Sequence, residues 1–212
     1  MILKRISSVF GWTFLILLST YFYLESVGPY LIRTIEPRKL AIEPWLVAHF
    51  VGAFCTLFIG PIQFWPRVRK KYPATHRTLG KIYIVGTLIG ASTVFYLLFN
   101  GYPLPGGVPS LFVLAILWIF MTVSAWICIK NRDIENHRKF MIRSYVMGLA
   151  FIFIRLFNRL DEFGLSVFPF IEDPMMRYTL YEWICWIYPL VIVEMVFVWW
   201  PIVSKNLATI KS

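Results

Sequence analysis

YPATHRTLGKIY, residues Tyr72–Tyr83, carries a His-Arg pair, His76-Arg77, that recurs sixty-one residues later as His137-Arg138 within ENHRKFMIRSY, residues Glu135–Tyr145. Each pair follows a run of charge and opens a long apolar segment. Working outward from these two blocks, the chain divides into apolar stretches of membrane-crossing length separated by polar connections. Pro44 to Pro66 holds no charged side chain, and neither does the stretch between Lys81 and Lys130. A helix rises about 1.5 Å per residue, so roughly 20 residues cross a hydrocarbon core of about 30 Å. The second stretch is too long for one crossing and is broken by NGYPLPGGVP, Asn100–Pro109, whose Pro and Gly density predicts a tight turn. Six spans result, at about 9–24, 44–66, 82–99, 110–129, 140–157 and 183–203. Gly, Pro and mixed charge predict loops over Glu25–Glu43 and Asn158–Glu182.

Composition fixes the solvent. Of 212 residues, 58% are hydrophobic and 15% charged, an apolar load that a water-soluble chain of this size could not bury. The predicted fold class is an all-α integral membrane protein, one transmembrane domain over 1–212. Spans two to five are expected to form a core four-helix bundle with a weak internal repeat. The formal charge of +10 comes with no nucleic-acid motif and matches the basic residues that membrane proteins concentrate on one face. Membrane lipids are therefore the expected partners rather than nucleic acid, alongside a membrane protein partner or a second copy of the chain. Cys55, Cys128 and Cys185 lie in apolar runs with no zinc or disulfide spacing and read as small hydrophobes.

Of the 21 Lys and Arg, 15 fall at the two termini and the two His-Arg loops, and 5 in the other three connections. The positive-inside rule then puts both termini and both His-Arg blocks in the cytoplasm. Trp45, Trp65, Trp183, Trp199 and Trp200 stand at span ends, where aromatic belts form.

Two polar sites follow from depth. The inner one pairs His76 with His137. A helix N-terminus favours the neutral imidazole that ligates iron or another transition metal, and Arg77, Arg138 and Arg143 could hold propionates or another anion. The same residues also suit helix-end anchors that meet lipid headgroups. The outer site holds His49, a weaker metal-ligand candidate, and Arg155. Glu194 lies near the middle of the last span, where an ionised carboxylate needs a partner, and Arg155 is the expected one despite a depth difference of roughly 8 Å. Gln63, Tyr83 and Asn100 read as ordinary boundary residues.

His49 with Gly52, then GPIQF (Gly60–Phe64), HRTLGKIY (His76–Tyr83) and HRKFMIRSY (His137–Tyr145) resembles a bacterial family of predicted membrane proteins known only as a domain of unknown function. The resemblance covers about residues 45–160, with Phe140 where that pattern has Trp. It implies a multi-span bundle of the bacterial inner membrane. A looser similarity, to the haem-b transmembrane ferric reductases, implies bis-histidine haem, although that family uses four His and this chain has three.

Two function classes are open at this level. One is a redox membrane protein holding haem b or a transition metal through the His pair at the cytoplasmic face. The other is a non-enzymatic small transporter or a membrane-complex assembly factor. No Walker, Rossmann, zincin or nucleophile-elbow motif points to a specific catalysis.

Overall fold

The computed structural model describes residues 2–32, 41–100 and 105–210. The predicted turn at Asn100–Pro109 lies partly outside them. The described residues contain no strand, and six of their helices are long and apolar enough to cross a membrane. The helices are α1 (Ile2–Ile32), α2 (Glu43–Phe54), α3 (Gly60–Phe64), α4 (Pro66–Lys71), α5 (Pro73–Asn100), α6 (Val108–Lys130), α7 (Ile134–Gly148), α8 (Ala150–Glu162), α9 (Pro174–Glu194) and α10 (Trp200–Ile210). Wider π-helical turns at Cys55–Ile59 and Met195–Trp199 join α2 to α3 and α9 to α10. Each ends two residues before a proline, Pro61 and Pro201. A proline donates no hydrogen bond to the carbonyl four residues back and its ring crowds that carbonyl, so the turn before it widens.

Several helices outrun their apolar cores. α1 continues through Glu25, Gly28 and Pro29 to Ile32, where a loop was expected. α5 begins at Pro73, so His76 is already helical, and α9 begins at Pro174 and takes in Glu182, also expected in a loop. Hydropathy reports where lipid begins, whereas a helix ends only where its backbone bonds run out, and polar turns at the interface continue the ladder.

The chain forms two compact units, Met1–Val108 and Pro109–Ser212. In the first, α2 lies against α5 along a seam of Gly52, Gly86 and Gly90. A Cβ on Gly52 would come within 2.5 Å of the Gly86 carbonyl oxygen and 2.6 Å of Gly90 Cα. Such backbone approach supplies the packing that lipid, as apolar as the side chains, cannot drive. Thr56 and Thr87 share a buried hydrogen bond of 2.9 Å across the same seam.

The second unit repeats the device with other residues. Thr122 of α6 and Ser144 of α7 meet at 2.8 Å, both fully buried. Ser110 donates to the Glu182 carbonyl at 2.6 Å and accepts from Trp186 Nε1 at 3.0 Å. α6 ends in a Schellman turn, with the Asp133 N–H on the Cys128 carbonyl at 2.9 Å and the Arg132 N–H on Ile129 at 3.1 Å. Arg132 occupies the left-handed position at φ 61°, which lets α7 start at once.

Asp133 is the N-cap of α7, accepting from the Asn136 N–H at 3.0 Å and from its side chain at 2.7 Å. The Asn136 backbone bond, seconded by the side-chain bond, holds the Asp133 carboxyl below the usual carboxylate range. A depressed folded-state value means that the cap's stabilisation is present above the ordinary carboxylate pKa and is lost as pH falls through the lowered one. Asp133→Asn keeps an acceptor that does not titrate. The melting temperature in detergent should therefore fall further on acidification for the native chain than for Asp133→Asn, and parallel curves would exclude this role.

Candidate functional site

The two His-Arg blocks build the same corner in different ways. His76 and His137 are each the fourth residue of their helices, α5 and α7, and their N–H groups donate to the carbonyls of Tyr72 and Asp133, both at 3.0 Å. Each ring then reaches back to the helix before it. His137 Nδ1 lies 2.8 Å from the Ala125 carbonyl, near the end of α6. A carbonyl only accepts, so Nδ1 carries a proton and only Nε2 can offer a lone pair.

His76 meets Gln63, at the end of α3, which is buried at 5% exposure. Two backbone groups orient the Gln63 amide. Its oxygen accepts from the Gly80 N–H at 3.2 Å, and its nitrogen donates to the His76 carbonyl at 3.2 Å and to His76 Nδ1 at 2.8 Å. A ring nitrogen that accepts has no proton, so this imidazole is neutral with its hydrogen on Nε2. The first block of the pattern, GPIQF, thus supplies the side chain that grips the second, HRTLGKIY. Gln63 was read from sequence as a boundary residue, as was Tyr83, which is fully buried. Amphipathic spacing carries no signal for a side chain that closes a corner between helices.

Bis-histidine iron needs an Nε2 lone pair on both rings. His137 presents the orientation typical of a ligand, with Nδ1–H fixed by a carbonyl. His76, with Nδ1 accepting from Gln63, does not. Among the described residues no group of three or more His, Cys, Asp and Glu side chains could hold a metal ion. The residues as arranged fit one histidine of the expected pair and not the other.

His49 serves the α2–α5 seam. Its Nδ1 lies 3.0 Å from the Gly90 carbonyl, which also accepts from Thr93 Oγ1 at 2.8 Å. The imidazole therefore bonds helix to helix one turn before Gly52.

The intramembrane charges pair differently from the sequence expectation. Glu194 is bound by Arg143, not Arg155: Arg143 Nη2 donates to Glu194 Oε2 at 2.8 Å and Nε donates to Oε1, a two-pronged contact. Their side chains are 14% and 23% exposed. The Arg155 guanidinium lies 4.2 Å from the Phe151 ring centroid. The reason is where the last helix begins. With α9 starting at Pro174 rather than near Trp183, Glu194 lies about 30 Å along the helix from that end, while Arg143 stands about 28 Å from the Glu162 end of the antiparallel neighbour. Arg155 is about 18 Å farther along that neighbour, beyond the reach of an arginine side chain. Glu194 also sits at an irregular place, between Pro189 within α9 and the π-helical turn Met195–Trp199.

Arg77 and Arg138, each one residue past its His, are exposed. A second polar cluster, missed in the sequence, closes the loop between α8 and α9. Arg177 Nε and Nη2 donate to the Asp161 carboxylate at 2.9 and 3.1 Å, and Tyr181 adds a hydroxyl at 2.9 Å. The only signal was an acid and a base at opposite edges of a loop, a pattern too common to pick out.

No curated protein and no solved structure matches the chain. The description Predicted membrane protein (DUF2306) matches residues 46–197, a stretch that holds the α2–α5 seam, both His-Arg corners and the Arg143–Glu194 pair. The protein is thus a member of this family of predicted membrane proteins of unknown function.

Proposed function

We propose that the protein is a non-enzymatic transporter of a small anionic solute across the bacterial inner membrane, with both termini and the His-Arg corners in the cytoplasm. The observation that carries this reading is the two-pronged Arg143–Glu194 pair within the membrane-crossing length of two helices. A guanidinium fork in that position binds any planar oxyanion in the geometry it uses for Glu194. A solute carboxylate or phosphate would displace Glu194 from Arg143, and the irregular helix around Glu194 gives that segment somewhere to move. The exposed basic residues Lys130, Arg132 and Arg138, at the corner between α6 and α7, would raise the local anion concentration at that end of the unit.

The test is uptake of labelled acetate, succinate and inorganic phosphate by proteoliposomes. The native chain should exceed protein-free vesicles for at least one of them. Arg143→Lys, which keeps the charge but not the fork, should lose most of that uptake while still eluting as a single species in detergent. No uptake of any of the three, or native uptake by Arg143→Lys, would overturn the proposal.

A redox reading has one observation in its favour, the ligand-like orientation of His137. It expects the purified protein to carry bound iron or another transition metal, with an absorbance band lost in His137→Ala. A colourless, metal-free preparation that transports an anion decides between the two.

A further inference from the structure

The connection between α8 and α9, Phe163–Asp173, is unusually apolar for a loop. Its first nine residues, FGLSVFPFI, contain no charge, and acids flank them at Asp161, Glu162, Glu172 and Asp173. Phe163, Leu165 and Phe170 are 77%, 66% and 78% exposed. This exposure is held in place. α8 ends in a Schellman turn, with Gly164 at φ 74° and the Leu165 N–H on the Leu160 carbonyl at 2.8 Å. Phe168 turns inward and stacks on Tyr181 at 5.9 Å, and Ser166 Oγ bonds the Tyr181 hydroxyl at 2.8 Å.

Several polar groups of the loop are meanwhile paired from within. Arg177, besides binding Asp161, donates Nη1 to the Ile171 carbonyl at 2.6 Å and the Glu172 carbonyl at 3.0 Å. The Phe168 N–H donates to Ser166 Oγ at 3.2 Å, and the Ile171 N–H to the Phe168 carbonyl at 3.1 Å. Internal pairing of backbone groups is what a segment needs where water is scarce, and a loop facing bulk water has no such requirement. The helical stretches on either side, Ile134–Glu162 and Pro174–Asn206, are each long and apolar enough to cross a membrane, which puts the loop between them at a membrane boundary.

From these observations we propose that Phe163–Ile171 is an interfacial anchor. Its occupant is lipid: Phe163, Leu165 and Phe170 seat in the headgroup–acyl boundary of the leaflet at that end, while the flanking acids stay in water. The Asp161–Arg177 clamp acts as the support that keeps the three side chains turned outward.

Photocrosslinking tests this directly. A benzophenone-bearing phenylalanine is placed at position 163, 170 or 172 of the full chain, reconstituted in vesicles of phosphatidylethanolamine and phosphatidylglycerol and irradiated. Mass spectrometry should find a phospholipid adduct at 163 and 170 and none at 172. Adding Arg177→Met should abolish the adduct at 170 even if the protein still elutes as a single species. Phospholipid adducts absent at both 163 and 170 would overturn the proposal, as would adducts to a second copy of the chain in their place.

Discussion

Arg143→Met and Glu194→Gln are each expected to destabilise the protein by about 3–5 kcal/mol, because each strands the other partner in a region that hydrates it poorly. The double variant should lose less than the sum. Its remaining side chains are uncharged, and a buried pair replaced on both sides is often close to neutral. The partial exposure of the two side chains, 14% and 23%, argues for the lower end of the range. Arg155→Met is the control that separates structure from sequence expectation. Combined with Glu194→Gln it should be additive within about 0.5 kcal/mol, as for residues that do not touch. Unfolding in detergent for the two cycles decides the matter, and coupling in the Arg155 cycle with none in the Arg143 cycle would restore the sequence-based pairing.

Gly52→Ala should be the most damaging single methyl in the first unit, at or above the upper end of the about 1–3 kcal/mol usual for overpacking. The added carbon would meet only backbone, at 2.5 Å from the Gly86 oxygen and 2.6 Å from Gly90 Cα and N. A clashing side chain can rotate away, but two helix backbones can only separate. That separation also stretches the His49 bond to the Gly90 carbonyl. Gly11→Ala, with nothing within 4 Å of the added carbon, should be neutral or slightly stabilising, since alanine forms helix better by about 1 kcal/mol. Equal melting temperatures for Gly52→Ala and the native chain would mean that the seam is looser than described.

The sequence by itself determined the class of solvent, the number of candidate crossings and the two His-Arg positions. These depend on local quantities: apolar run length against bilayer thickness, and proline and glycine density at breaks. Asn100, Pro109 and the charge-free stretch on either side were sufficient to divide one long apolar run into two helices. Helix ends were less legible, because hydropathy changes at the lipid boundary and the hydrogen-bond ladder does not. The misplacement of Trp183 as the start of the last span carried directly into the wrong partner for Glu194, since nine residues of helix move a side chain by about 14 Å.

Only the tertiary structure decided which polar groups meet. Gln63 binds His76 and Arg143 binds Glu194 because their helices run side by side at those heights. The proton on each imidazole follows from its partner rather than from its place in the motif. His137 faces a carbonyl, which can only accept, and His76 faces an amide N–H, which can only donate. Two residues in matching sequence positions therefore hold their hydrogens on opposite nitrogens, a difference that no motif spacing encodes.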